Sequence, residues 1–240
     1  MSIKTRLVDY RDGDLVFEGK LAWDDDISAP RPGVLVAHTI RGRSRFEESK
    51  AELLAEMGYT GFAIDVYGKD AIGSEFDACR EMMESLRNER AVLQRRLLQA
   101  VEALRDQAEV DASQIAAMGY CFGGLCVLDI ARTGESLTGV ISFHGLLDAP
   151  GNTAGNRIRA RILALHGWDD PLATPEQAVA FGEELSSMGA DWQLHCYGNV
   201  RHAFTNPAAD ASNGVTVYNH AADRRSWAAA QYFLSEIFDT

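Results

Sequence analysis

The chain predicts an α/β fold with a mostly parallel sheet and helices on both faces. Short apolar, β-branched runs alternate with longer stretches of helical periodicity, the pattern of repeated βα units. Some strand runs, such as Gly33 to His38, are continuously apolar, as a strand buried on both faces requires. Finally, Gly119-Tyr120-Cys121-Phe122-Gly123-Gly124 leads straight from an apolar strand run into an apolar helical run. A residue at such a turn is forced toward positive φ, and its neighbours two before and two after must be small.

Taken in order, Leu15 to Leu21 alternates and reads as an antiparallel edge strand. Asp24 to Pro32 is a turn-rich connection, and Gly33 to His38 is the first doubly buried strand. Ser44 caps a helix with Glu47 three residues on, a capping-box pair, and Met57-Gly58 closes it. Thr60 to Val66 is a strand. Glu75 to Gln107 is helical, broken near Leu86 to Glu89. Strands follow at Ile115 to Tyr120, Gly139 to His144, Arg161 to His166 and Trp192 to Tyr197. The remaining helices are Gly123 to Arg132, Pro175 to Met188 and Asp223 to Phe238. With no repeat, linker or low-complexity run, the 240 residues suit a single domain over 1–240.

Net charge is -12, from 35 acidic and 23 basic residues, which disfavours nucleic acid and anionic lipid as partners. No apolar run approaches the ~20 residues of a membrane span. Met1 to Arg11 lacks the pattern of a secretory leader. Cys79, Cys121, Cys126 and Cys196 form no C-x-x-C pair and no zinc spacing, so reduced thiols, no metal and a cytoplasmic location are expected. The acidic surface leaves a monomer or a homodimer open.

In open parallel sheets ligands bind beyond the carboxyl ends of the strands. The residues just after the strand runs include His38-Thr39-Ile40, Tyr67, Cys121-Phe122, His144, Asp169-Asp170 and His202. A thiol, an acid and a histidine thus fall at one edge, in the chain order nucleophile, acid, histidine. A thiol at the N-terminus of a helix is favoured as thiolate, which makes Cys121 the candidate nucleophile. His202, in the loop after the last strand, is the candidate proton shuttle. Asp170, immediately before Pro171, is preferred over Asp169 to orient it, and His38, His144 and His166 are read as packing residues that close strands. The backbone N–H groups of Phe122 and Ile40 are placed to serve as an oxyanion hole.

Four segments carry a family resemblance: the Gly-Tyr-Cys-Phe-Gly-Gly elbow, Ala-Ile-Asp-Val-Tyr-Gly-Lys at 63 to 69, His-Gly-Trp-Asp-Asp-Pro at 166 to 171, and Tyr-Gly-Asn-Val-Arg-His-Ala-Phe at 197 to 204. In these the chain resembles the dienelactone hydrolase family, from about Gly33 to the C-terminus. The resemblance implies an α/β-hydrolase fold, a triad of Cys121, Asp170 and His202, and hydrolysis of small-molecule esters or lactones without a cofactor. The chain departs from the family pattern at Thr39, where a glutamate is usual, and at Asn206, where an arginine grips the substrate carboxylate. Thr39, Arg43 and Tyr67 are the expected substrate-binding residues, with the arginine-rich segment Arg41-Gly42-Arg43-Ser44-Arg45 as the source of a substitute cation. The departure at Thr39 also motivates a different class of function, a ligand-binding or sensor protein on the same fold.

Overall fold

The computed structural model describes residues 1–238. Eight strands form one mostly parallel sheet in the order β1-β2-β4-β3-β5-β6-β7-β8. The chain divides into two compact units, Met1–Met118 and Gly119 onward, with β5 (Val110–Tyr120) running from the first into the second.

In the first unit, β1 (Ile3–Asp12) and β2 (Leu15–Asp24) form a hairpin closed at Gly13, whose φ of 61° suits a tight turn. β2 pairs antiparallel with β4 (Thr60–Ala63), and β4 pairs parallel with β3 (Arg31–Ala37). The Leu15 to Leu21 run is therefore not the edge strand. β1 takes the edge, and its sequence hides this because apolar Leu7 lies on the exposed side and charged Arg6 on the half-buried side, which blurs the alternation. β4 also ends before the expected Val66. The Asp65 carboxylate accepts the N–H groups of Tyr67 at 2.9 Å and Gly68 at 3.0 Å, turning the chain out of the sheet.

Helix α1 (Arg45–Glu56) has Ser44 as N-cap and Glu47 as its capping-box partner. It packs so closely on β4 that a Cβ on Gly61 would stand 2.3 Å from the carbonyl oxygen of Ala51. The long helical stretch is two helices, α2 (Phe76–Asn88) and α3 (Arg90–Arg105), separated at Glu89, whose φ of -115° and ψ of 59° are not helical.

In the second unit, β6 (Gly139–Phe143), β7 (Arg161–Gly167) and β8 (Trp192–Tyr197) run parallel, with β7 between the other two. Helices α4 (Phe122–Arg132) and α6 (His220–Phe238) cover β6, and α6 also reaches β7. Helix α5 (Pro175–Ser187) starts at Thr174 with a capping box and Pro at its first turn. Among the described residues no helix is long and apolar enough to cross a membrane.

Candidate active site

The turn from β5 into α4 presents Cys121 with φ 56° and ψ -116°, a backbone state that L-residues adopt only under constraint. The constraint is visible next door. A Cβ on Gly119 would lie 2.1 Å from the carbonyl oxygen of Gly123, and one on Gly124 would lie 2.6 Å from Gly145 Cα. Only glycine lets strand and helix meet so closely, and this is what throws the Cys121 side chain outward. Cys121 is half-buried, whereas Cys79 and Cys126 are buried and Cys196 is exposed. Its main-chain N–H is shared between the Phe143 carbonyl at 3.0 Å and His144 Nδ1 at 3.2 Å. Phe122 opens α4, so its N–H belongs to the first turn of that helix, at the positive end of its dipole.

Asp170 and His202 come from the loops after β7 and β8 and are both buried. Asp170 Oδ2 accepts from His202 Nδ1 at 2.7 Å, while Oδ1 accepts the Leu172 N–H at 2.8 Å. Asp169, its neighbour, is exposed. With Nδ1 turned to Asp170, the remaining ring nitrogen of His202 is Nε2. It is buried and makes no well-aligned hydrogen bond, yet the Cys121 sulfur acts on it through charge and a loose hydrogen bond. Burial pushes the His202 imidazolium down. The Cys121 charge and the Asp170 hydrogen bond outweigh it and hold the pKa up at about 10.

Two further buried histidines stand in the same unit. His144 is 2% exposed, adopts φ 38°, and puts its ring 5.2 Å from that of His202 in a T-shaped contact. Its Nε2 is 2.8 Å from Thr205 Oγ1. Burial, reinforced by the His202 charge, keeps its pKa well below the usual histidine value. His166, at the end of β7, is buried with neither ring nitrogen hydrogen-bonded, and burial lowers its pKa too. The expectation that His144 merely closes a strand misses its contacts with Cys121 and His202. Only its place after a central strand hints at them.

The other expected residues lie in the first unit. The Thr39 N–H donates to Glu47 Oε1 at 3.1 Å, and its hydroxyl accepts the Arg41 N–H at 3.3 Å. Tyr67 donates its hydroxyl to the Ile40 carbonyl at 3.1 Å and stands edge-on to His38. His38 itself is a packing residue, with Nε2 accepting the Val66 N–H. Arg43 departs from its expected role. It is buried, with one terminal nitrogen on Glu18 at 2.7 Å and the other on Glu48, so its charge is already matched. Of that arginine-rich segment, Arg45 pairs with Glu52 and exposed Arg41 lies over the Phe76 ring, 4.5 Å from its centroid. Among the described residues no group of three or more His, Cys, Asp or Glu is placed to hold a metal ion.

Known proteins share this arrangement of chain. The structure superposes with a TM-score of 0.92 on P91, a dienelactone hydrolase-like promiscuous phosphotriesterase from metagenomic libraries, at 37% identity over 99% of this chain and all of the other. A dienelactone hydrolase from Anabaena variabilis shares the fold with a TM-score of 0.70 at 19% identity, covering 98% of both chains. A Bradyrhizobium protein named "Probable 2-oxo-3-(5-oxofuran-2-ylidene)propanoate lactonase" is 25% identical over 95% of this chain and 93% of its own length. With the dienelactone hydrolase family model matching residues 17–238, the chain belongs to the dienelactone hydrolase family and is a hydrolase of the ester and lactone type.

Proposed function

We propose that the chain hydrolyses carboxylic esters and lactones through a covalent thioester on Cys121. The observation that carries this reading is the buried His202–Asp170 pair, 2.7 Å apart, with the second imidazole nitrogen left to the Cys121 sulfur. The resting pair is thiolate and imidazolium. The thiolate attacks the carbonyl carbon, the oxygen takes up negative charge, and the Phe122 N–H at the start of α4 helps to hold that charge. As the intermediate collapses the C–O bond breaks, and His202 gives its proton to the departing alkoxide.

The raised pKa of His202 is lent by the charge on sulfur. Once the sulfur is a neutral thioester that support is gone, and the neutral imidazole becomes the base that takes a proton from water. Water oxygen bonds to the acyl carbon, the C–S bond breaks, and thiolate and imidazolium are restored as the acid leaves. Asp170 stabilises the cation and fixes the tautomer throughout.

The similarity to P91 supports phosphotriesters as a second substrate class, the same thiolate bonding to phosphorus as the P–O bond to the leaving alcohol or phenol breaks and His202 protonates the departing oxygen. Treatment with 4-nitrophenyl acetate tests the main reading. A burst of 4-nitrophenol with one acetyl group on Cys121 is expected, and Cys121→Ala is expected to lose burst and turnover. A sensor or binding protein gives neither in the parent. Turnover surviving in Cys121→Ala overturns the mechanism, and paraoxon assayed in the same two proteins tests the second class.

A further inference from the structure

His144 joins groups that the proposed chemistry must keep in register. Its Nδ1 accepts the Cys121 N–H at 3.2 Å, so that nitrogen carries no proton. Its Nε2 therefore carries one and donates to Thr205 Oγ1 at 2.8 Å. Thr205 is three residues beyond His202 in the same loop, and the His144 ring also meets His202 at 5.2 Å and Phe204 at 5.0 Å, both T-shaped. One ring thus ties the nucleophile's main chain on one side to the loop that carries the base on the other. The ring is held in turn: the His144 N–H donates to the Leu165 carbonyl at 2.8 Å, and the residue sits at positive φ, a state uncommon among residues other than glycine.

We infer that His144 is a positioning residue, which as the Nε2–H tautomer fixes the orientation of Cys121 and the distance from its sulfur to the His202 ring. The inference rests on the Cys121 reading above. A second acceptor on the Cys121 N–H restrains the peptide plane, and with it the direction of the Cα–Cβ bond of a residue already held off its preferred backbone state. The Thr205 bond stops the His202 loop from drifting away from that sulfur. The role requires a neutral ring. A proton on Nδ1 would face the Cys121 N–H and set a second cation beside the His202 imidazolium.

The test compares parent, His144→Leu, His144→Asn and Thr205→Val, each first shown to be folded by circular dichroism. The readouts are 4-nitrophenyl acetate kinetics and the pH dependence of iodoacetamide alkylation at Cys121. For His144→Leu the expected result is a fall of ~10- to 100-fold in kcat with KM nearly unchanged, because sub-ångström misplacement of reacting groups has costs of this order. Its alkylation profile is expected to shift toward higher pH. His144→Asn, whose carbonyl oxygen can replace Nδ1 as acceptor, should recover part of the rate. Thr205→Val should lose less, in the same direction.

Folded His144→Leu and Thr205→Val proteins with the parent's kcat and alkylation profile would overturn the inference. A parent with neither burst nor reactive Cys121 would instead defeat the nucleophile assignment. If His144→Leu does not fold, Thr205→Val decides.

Discussion

His202 Nδ1 and Asp170 Oδ2 stand 2.7 Å apart, with both side chains at most 2% exposed. An uncompensated charge is costly in such surroundings, so each ionised partner depends on the other. Asp170→Asn keeps the shape and an acceptor for Nδ1–H but removes the charge that stabilises the imidazolium. Ester kcat/KM is expected to fall by roughly 10²- to 10⁴-fold. A loss under tenfold in steady-state assays would remove Asp170 from the machinery.

The His202 ring should remain charged far above the ordinary histidine range, titrating near pH 10. NMR of its Cε1–H resonance checks this. Alkylating Cys121 removes the sulfur's charge and should bring the midpoint down by several units, since that charge is the foremost influence raising it. The folded pKa lies above the unfolded value. The His202 contribution to stability is therefore complete below about pH 6.5 and is lost as pH rises toward about 10. A midpoint that does not move on alkylation would contradict the proposed ion pair.

Gly119→Ala should abolish the elbow. Its Cβ would stand 2.1 Å from the Gly123 carbonyl oxygen, a main-chain atom that cannot swing aside. The cost is expected to exceed the ~1–3 kcal/mol of ordinary overpacking. Denaturant unfolding should show it, and activity should vanish even in any folded fraction. A folded, active variant would mean that strand and helix do not meet this tightly.

Arg132 makes a contrasting case, a buried charge with no part in the chemistry. Its Nε and Nη2 meet Glu184 at 2.9 and 2.7 Å, and Nη2 also donates to the Leu147 carbonyl at 2.9 Å. Arg132→Met strands the Glu184 carboxylate and those acceptors. A loss of about 3 kcal/mol is expected, which for a chain of this size lowers Tm by roughly 6–12 °C. Differential scanning calorimetry measures it, while kcat per folded molecule at low temperature should stay near the parent's.

Residue order alone determined the parts of this protein whose physics is local. The Ser44–Glu47 capping box marks the start of α1 because both partners lie within one helical turn. Trp192–Tyr197 is a strand with the limits its pattern implies. The glycines flanking Cys121 announce a strand-to-helix elbow because no side chain fits between backbones so close together.

Tertiary structure decided which distant groups became partners. It put β1 rather than β2 at the sheet edge, stopped β4 at the Asp65 turn, and gave Arg43 to Glu18 and Glu48. It also set His144, a strand-closing residue to all appearances in the linear chain, against Cys121, His202 and Thr205. Capping, periodicity and glycine strain act over a few residues and leave their mark in the sequence. Hydrogen bonds and charge pairs between residues tens of positions apart exist only after the sheet has brought their loops together.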